Sequence, residues 1–384
     1  MPTTPSHLHN PHFRYREPDL QRILYCWSRG QSVLLTGIRR TGKSQIAKAA
    51  LVRHAEAGHA IAFLDVQNYT SLADFYRDLL REMPAPIMAR LDAELGGVTT
   101  IPTRLMNWIR GQVKTVGVPE MAETELREAQ ESLPRYWQPI AEALERVLAS
   151  RPYQELPVLG IDELPFMLEN LIARNISDAE LTLTLASLRK LRDAGLRMII
   201  AGSVSMENLL TLHKIPHTVL GGLIRHRVDP FSEEEARSFL NERLKDTPGH
   251  ADAALNAALT LLPDFVPEFL NIAEQHLRLL ARPSDASAVL HSKVLPEIRR
   301  AFLTQFDERL AKNYSSDELP SVERILDSVA KGDSGGAQLQ LSMAERALVT
   351  KLQYDNFIME GTDFRSVFTL NLLRQWWRAS RGIS

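Results

Sequence analysis

The sequence predicts an α/β protein built around a parallel sheet, and three observations lead to this fold class. Short apolar segments alternate with longer segments of helical periodicity through the first 230 residues. This alternation is typical of a parallel sheet with helices on both faces. Beyond Pro230 the strand patterns stop and helical patterns continue. Near the end of the chain, two predicted helices precede a hairpin pattern.

The predicted strands are short, and most are apolar enough to be buried. Four apolar segments and a fifth that opens on an arginine fit this description: residues 32–36, 60–66, 156–162, 196–202 and 225–229. Apolar residues at three- and four-residue spacing predict the helices around them: residues 17–28, 45–57, 72–82 and 181–194. Residues 84–150 form a largely helical insert that is interrupted near Pro134.

The second half of the chain predicts a helical region followed by a smaller domain. Residues 231–312 are helical, and the capping pattern SEEE opens the first helix. A polar, proline-containing break at residues 313–320 predicts a linker. The last part predicts two helices and then two hairpin strands around the turn 360–363: residues 322–329, 343–352, 356–359 and 364–369. Two helices followed by a hairpin predict a winged helix at residues 313–384.

Composition limits the classes of function. The chain has 384 residues and a formal net charge of -2, which argues against binding nucleic acid along its whole length. Cys26 is the single cysteine, so an internal disulfide and a CxxC metal site are excluded. Without an apolar run of about 18 residues or a leader pattern, we expect a cytoplasmic protein with no membrane span. Residues 1–13 predict a flexible arm.

The segment TGIRRTGKSQ carries the most specific motif, GxxxxGK[ST], from Gly37 to Ser44. A predicted strand precedes it and a predicted helix follows, as a phosphate-binding loop requires. Glycines let the backbone curl so that its N–H groups face phosphate oxygens, while the helix adds its positive N-terminal end. The predicted nucleotide-binding residues are Gly37, Ile38, Arg39, Arg40, Thr41, Gly42, Lys43, Ser44 and Gln45. The alternative is an ordinary basic turn, and for Arg39 and Arg40 a solvated role fits equally well.

Lys43 would reach the β- and γ-phosphates, and Ser44 would hold Mg²⁺. Such a site also needs a carboxylate on a neighbouring strand, and LPVLGIDELP supplies Asp162 and Glu163 at the end of an apolar run. Asp162 would orient the magnesium shell, and Glu163 would act as the general base for the attacking water. The alternative is a carboxylate pair at the surface. Asp65, near the end of the second strand, fits either the magnesium shell or a loop cap.

Two further groups are placed to act on the γ-phosphate. The fourth strand ends in IIAGSVSME, which puts Ser203 at the edge of the sheet where ligands bind. Ser203 fits a hydrogen bond to the γ-phosphate or the water, or the cap of the next helix. Arg225 and Arg227 open the fifth strand, where an arginine could stabilise γ-phosphate charge in cis or from another subunit. Solvated side chains are the alternative for both.

Five segments together resemble one group of P-loop proteins: GIRRTGKS, IDELPFML, IIAGSVSME, VDPFSEEEARSFL and TLNLLRQWWR. They are similar to the archaeal-ATPase-like P-loop NTPases of the STAND group, which lies next to the AAA+ proteins. The resemblance covers residues 14–384 apart from residues 84–135. Its more specific parts are the paired arginines in the phosphate loop and the Gly-Ser-x-Ser strand end.

The resemblance implies an ATPase core at residues 14–230, a helical lid at residues 231–312 and a winged helix at residues 313–384. It implies ATP and Mg²⁺ as ligands, and it carries the nucleotide roles onto the loop and strand-end residues named above. A sensor role falls on Ser203. Pro267, in the segment FVPEFLNIA, corresponds to a lid proline near the base.

The sequence departs from this family in two places. Gly221-Gly222-Leu223-Ile224 stands before Arg225, where the family often has an arginine straight after a glycine. The lid segment also lacks an arginine at the place of a second sensor. The missing lid arginine predicts slow hydrolysis, and the insertion before Arg225 leaves the arginine assignment open.

Three hypotheses for the function remain. The first is an ATP-driven switch with a protein partner or a homo-oligomer, as in mobile-element or phage-defence systems. The second is a DNA-binding ATPase that assists transposition, replication or repair through the winged helix. Residues 321–384 carry eight Lys or Arg against seven Asp or Glu, which is weak for phosphate binding. The third is a module that holds nucleotide without turnover, and an intact Glu163 argues against it.

Overall fold

The computed structural model describes residues 15–98, 100–111, 123–202, 205–332 and 336–383. They divide into a first unit, made of residues up to Thr36 and Lys43–Arg227, and a second unit. The second unit combines Gly37–Gly42 with the residues from Val228 onward. The predicted arm at residues 1–13 lies outside the described residues.

A five-stranded parallel sheet forms the centre of the first unit, as predicted. Its strands are β1 (Ser32–Thr36), β2 (Ile61–Asp65), β3 (Val158–Asp162), β4 (Arg197–Ala201) and β5 (Leu223–Arg227). Their order across the sheet is β2-β3-β4-β1-β5, so β1 lies between β4 and β5. The predicted start of the fifth strand was wrong by two residues, because Leu223 already pairs with Ser32.

The two strands at the middle of the unit are buried along their whole length. All five residues of β3 and all five of β4 are buried. Gly160 in β3 makes close packing possible here. A Cβ at this position would lie 2.6 Å from Leu51 Cδ1 and 2.9 Å from Phe63 Cδ2. Glycine therefore leaves room for apolar side chains to close over the strand.

The described residues of the first unit form ten α-helices. They are α1 (Glu17–Ser28), α2 (Lys43–Glu56), α3 (Leu72–Glu82), α4 (Ala85–Leu95), α5 (Thr103–Gly111), α6 (Glu123–Glu131), α7 (Leu133–Ala149), α8 (Leu164–Ala173), α9 (Asp178–Asp193) and α10 (Met206–Leu212). The sequence patterns did not predict α8 and α10. The predicted start of α9 was three residues late, because a capping box joins Ser177 and Glu180.

The insert is helical, as predicted, and the break near Pro134 separates α6 from α7. Tyr76 of α3 connects this insert to the rest of the unit. Its ring stacks on Trp137 at 3.9 Å, and its hydroxyl lies 2.6 Å from Thr184 Oγ1. Burial raises the pKa of Tyr76 to about 12, so the hydroxyl keeps its proton. The insert therefore shares one apolar core with the sheet.

The described residues of the second unit form eight α-helices and a small two-stranded hairpin. They are α11 (Glu233–Leu244), α12 (Asp252–Leu261), α13 (Pro267–Arg278), α14 (Ala286–Val289), α15 (Leu295–Asn313), α16 (Leu319–Lys331), α17 (Met343–Tyr354), β6 (Ile358–Glu360), β7 (Ser366–Phe368) and α18 (Asn371–Arg381). A π-helical turn, Leu290–Val294, joins α14 to α15. The antiparallel hairpin confirms the predicted strand pair, although both strands are shorter than predicted.

The predicted linker between α15 and α16 is packed against the C-terminal helices. Tyr314 is buried, and its hydroxyl donates a hydrogen bond to Asp355 at 3.0 Å. Asn313 Nδ2 also donates to both carboxylate oxygens of Asp355. Arg309 of α15 donates to the Asp355 carbonyl at 3.0 Å, and Asp264 accepts from the backbone N–H of Asn371 at 2.9 Å. Residues 231–312 and 313–384, predicted as two domains, thus contact each other within one unit. The winged helix remains an interpretation of α16, α17 and the hairpin.

Trp377 of α18 packs in the core of the C-terminal region. It is buried, and its indole N–H donates to Asp327 at 2.8 Å. This agrees with a structural role rather than a surface for stacking nucleic-acid bases. Within the described part of the chain, no helix is both long and apolar enough to cross a membrane.

Candidate functional site

The loop between β1 and α2 has the backbone geometry that its motif requires. Gly37 has φ 118° and Gly42 has φ 92°, backbone conformations that residues other than glycine rarely adopt. A Cβ at Gly37 would also lie only 2.5 Å from the carbonyl oxygen of Val228. Between the glycines, the buried Thr41 hydroxyl donates to the Ile38 carbonyl at 2.9 Å. The Thr41 hydrogen bond and the close packing of Gly37 against Val228 therefore hold the loop in a curled form.

Arg40, at the apex of the loop, also adopts a left-handed conformation, with φ 68°. Its guanidinium lies 3.8 Å from Glu268, the second residue of α13. Both side chains are more than one third exposed, so water weakens this ion pair. The contact brings the loop close to the start of α13, where Pro267 is the first residue. Arg39 is half-buried and Gln45 is exposed.

The two residues after the loop begin α2 in the first unit. Lys43 is buried, and Ser44 Oγ donates a hydrogen bond to Asp162 Oδ1 at 2.9 Å. These two residues are 118 positions apart in the sequence. The structure thus brings together the hydroxyl and the carboxylate that the sequence predicted as magnesium ligands. Asp162 is the last residue of β3, at the carboxyl edge of the parallel sheet.

Asp162 has an unusual electrostatic environment. It is 4% exposed, and burial raises its pKa to about 6. The negative charges of Glu163 and Asp65 act in the same direction, while the Ser44 hydrogen bond and the charge of Lys48 oppose them. A buried carboxylate with a raised pKa is typical of functional sites, where a cation or a proton would relieve the charge.

Glu163 directly follows Asp162 and precedes α8. It has φ 60°, a left-handed conformation that costs a non-glycine residue of the order of 1 kcal/mol. Its backbone N–H donates to the Ala201 carbonyl at 2.9 Å, and its carbonyl accepts from Met167 N at 3.0 Å. The side chain is half-buried. Backbone contacts on both sides therefore hold this carboxylate at the end of the strand.

Asp65 ends β2 and pairs in register with Asp162 across the sheet. Its carboxylate accepts a hydrogen bond from the backbone N–H of Gln67 at 3.3 Å. Asp65 is exposed. It therefore caps its own turn, while its charge contributes to the potential at Asp162.

The remaining predicted residues lie near the ends of β4 and β5. Ser203 lies outside the described residues. The cap of α10 belongs to Ser205, whose hydroxyl accepts from Asn208 N at 3.2 Å. Arg225 lies in the middle of β5 and not at its start, and its Nε donates to Glu207 Oε1 at 2.9 Å. Arg227 is the last residue of β5, in register with Thr36.

Two carboxylates that contact predicted site residues, Glu207 and Glu268, were not predicted from the sequence. No motif singled them out, because each is recognised only through its contact with an arginine from a distant segment. The pattern SME could have marked Glu207 as a carboxylate in the first turn of a helix at the sheet edge.

No protein-family model matches the chain, and no curated protein sequence does. Among solved structures, the chain is similar to the Walker-type ATPase of Pyrococcus abyssi. The identity is 17%, the match covers 94% of this chain and 95% of that chain, and the TM-score is 0.54. It also matches the ORC2 protein of Aeropyrum pernix, solved with ADPNP and ADP, at 13% identity and a TM-score of 0.43. That match covers 97% of this chain and 96% of the other.

The first of these likenesses shows the fold at low sequence identity. The chain has the fold of P-loop ATPases: a parallel sheet, a glycine-containing loop after β1 and a carboxylate at the end of β3.

Proposed function

We propose that this protein is a magnesium-dependent ATPase. One observation carries the proposal: Ser44, which follows the phosphate-loop lysine, donates a hydrogen bond to Asp162 at the end of β3. A hydroxyl next to the loop and a carboxylate on the adjoining strand are the pair that holds magnesium in P-loop NTPases. Gly37, Gly42 and the N-terminus of α2 add the phosphate-binding part.

The residues present fit Mg²⁺. Asp162 is a buried carboxylate with a raised pKa, and Ser44 offers a neutral oxygen within 2.9 Å of it. One or two protein oxygens are enough, because magnesium usually completes its shell with water and substrate phosphates. The bound ion would neutralise charge on the β- and γ-phosphates.

Each functional side chain then has one role. Lys43 provides a positive charge for the β- and γ-phosphates. Glu163 accepts a proton from the attacking water, and its backbone conformation keeps the carboxylate at the strand end. Ser203 would contact the γ-phosphate, Pro267 would lie near the base, and Arg225 would act on γ-phosphate charge directly or indirectly.

The test is steady-state ATP hydrolysis by the native chain and two variants, with and without Mg²⁺. We expect Lys43→Ala to lose nucleotide binding and turnover. We expect Glu163→Gln to keep nucleotide binding and to lose turnover by about a hundredfold or more, the usual contribution of a general base. Glu169→Gln, in the helix α8 that follows Glu163, is the matched control and should turn over at the native rate.

The outcomes separate the hypotheses. Native turnover in Glu163→Gln would exclude Glu163 as the base. Tight nucleotide binding by the native chain without any turnover would replace the ATPase with a module that only holds nucleotide. Failure to bind nucleotide would reject the proposal altogether.

The loop also supports a role as a nucleotide-driven switch. Gly37–Gly42 packs with the second unit, while Thr36 before it and Lys43 after it belong to the first. A bound phosphate that displaced this loop would therefore also displace Thr36 and Lys43, the residues of the first unit to which the loop is covalently joined. Arg40 and Glu268 form a weak contact that such a movement could break. In this proposal a protein partner or a second copy of the chain responds, in the cytoplasm, as in mobile-element or phage-defence systems.

The arrangement of α16, α17 and the hairpin favours a second candidate, a DNA-binding ATPase that assists transposition, replication or repair. The cations of this region weigh against it, since several are already engaged. Arg324 pairs with Glu345 at 2.7 Å, and Lys351 pairs with Glu318 at 3.0 Å. Arg381 pairs with Glu323 at 2.9 Å.

Duplex DNA binding at two salt concentrations tests this candidate. Binding that weakens steeply between 50 and 200 mM salt, on the order of a thousandfold, would indicate many phosphate contacts and support it. ATP hydrolysis that proceeds at the same rate with and without duplex DNA would favour the protein-coupled switch.

A further inference from the structure

Glu207 is a buried carboxylate that the mechanism above does not use. It is the second residue of α10 and is 4% exposed. Its Oε1 accepts a hydrogen bond from Arg225 Nε at 2.9 Å, whereas the Arg225 side chain is 54% exposed. A buried ionised group is costly without a partner, so this charge depends on Arg225.

The ion pair connects two strands that do not touch. Met206, the first residue of α10, follows Ala201 at the end of β4 by five positions. Arg225 lies in β5, and β1 runs between β4 and β5. Neighbouring strands are about 4.8 Å apart, so β4 and β5 are separated by about 10 Å. The pair therefore spans β1, the strand that leads into the phosphate loop.

Arg225 is not at the ligand-binding edge of the sheet. It is in register with Leu34, whereas Arg227 is in register with Thr36 at the end of β1. Two residues of a strand correspond to about 7 Å, so the backbone of Arg225 lies about that far behind the carboxyl edge. Its guanidinium is held by Glu207, in the first turn of α10.

We propose that Arg225 is a positioning residue that acts through Glu207. The pair fixes the start of α10, and with it the carboxyl end of β4, relative to β1 and the phosphate loop. Arg225 does not contact the γ-phosphate. The proposal rests on the ATPase function proposed above and replaces the predicted direct role of this arginine.

A double-mutant cycle on kcat tests the proposal, with Arg225→Ala, Glu207→Gln and both together. If Arg225 acts through Glu207, each single variant should lower kcat about tenfold. The double variant should then be within threefold of the lower single variant, because coupled residues are not additive. The KM for ATP should stay within threefold of native, since nucleotide binding does not depend on the pair.

Two results would overturn the proposal. One is a double variant whose kcat is more than threefold below both singles, which would indicate an independent contact of Arg225 with the phosphate. The other is a single variant whose kcat is within threefold of native. Glu131→Gln breaks the exposed pair with Arg127 and is the matched control, expected to leave kcat unchanged.

Thermal melting of each variant separates loss of turnover from loss of folded protein. A fall in kcat that merely followed the folded fraction would also overturn the proposal. If the native chain itself shows no turnover, the ATPase function fails instead, so the two failures are distinguishable.

Discussion

Two buried aspartates, one in each unit, have nearly the same exposure and opposite surroundings. Asp162 is 4% exposed and Asp355 is 3% exposed. Asp355 accepts hydrogen bonds from Asn313 and Tyr314, which join α15 to the end of α17. Asp162 accepts one from Ser44, and the carboxylates Glu163 and Asp65 raise its pKa further.

The difference teaches that burial alone does not distinguish a structural aspartate from a functional one. Asp355 is supplied with donors by its own chain, so its charge is stabilised in the folded state. Asp162 lies among other negative charges, and its burial has a cost that a bound cation would remove. Removal of the carboxylate charge should therefore destabilise the protein at Asp355 and stabilise the nucleotide-free protein at Asp162.

The largest expected effect is at Asp355. Asp355→Ala would leave the buried Tyr314 hydroxyl and the Asn313 amide without their acceptor, and we expect a loss of about 3–5 kcal/mol of stability. Urea unfolding followed by circular dichroism measures it. Asp307→Ala, at an exposed position of α15, is the control and should cost much less. A loss of stability below about 1 kcal/mol in Asp355→Ala would contradict the structural role of this aspartate.

Asp162→Asn should stabilise the protein without nucleotide. The folded-state pKa of about 6 is above the usual 3.9, so the ionised carboxylate costs stability once the pH exceeds its unfolded value. The cost is complete above pH 6, where it amounts to at most about 3 kcal/mol. We expect a higher melting temperature at pH 8 than native and little difference at pH 4. Destabilisation at pH 8 would show that the carboxylate is already compensated.

The same titration should appear in the pH dependence of turnover. Magnesium needs the ionised form of Asp162, which is lost as the pH falls through about 6. We expect magnesium-dependent hydrolysis to fall about tenfold per pH unit below that value, as for any single ionisation. Hydrolysis measured between pH 5 and 8 at magnesium and ATP concentrations well below saturation, which reports kcat/KM and therefore the ionisation of the free enzyme, checks this. A rate of hydrolysis that does not change with pH down to pH 5 would show that Asp162 does not bind the magnesium ion.

The smallest effect is expected at Asp65. Asp65→Asn keeps an acceptor for the Gln67 N–H and removes a charge that raises the pKa of Asp162. We expect stability within about 0.5 kcal/mol of native. Turnover within threefold of native would support the loop cap, whereas a larger loss would support a place for Asp65 in the magnesium shell.

Much of the first unit could be predicted from local sequence. The first four strands are apolar runs. The phosphate-loop motif contains Ser44 and predicts that a carboxylate at the end of a neighbouring strand, here Asp162, lies close to it, although 118 positions separate the two residues. Ser44 and Asp162 were predicted as a pair because magnesium binding at such loops needs both groups, and not because they are close in the sequence.

The parts that sequence could not give depend on contacts between distant segments. The helix α8, LPFMLENLIA, is apolar on nearly all sides and so shows little periodicity. The helix α10 has only seven residues, too few for a pattern. Arg225 resembled a solvated or catalytic arginine, since nothing in the sequence pairs it with Glu207.

The division of the phosphate loop has a consequence for how this protein can be cut or recombined. Gly37–Gly42 packs with the residues that begin at Val228, so the second unit is made of two separate stretches of chain. A fragment that ends at Arg227 would keep the whole loop but lose the Val228 backbone against which Gly37 is packed. A chimaera in which the residues from Val228 onward come from another protein therefore needs a replacement that also packs against Gly37–Gly42.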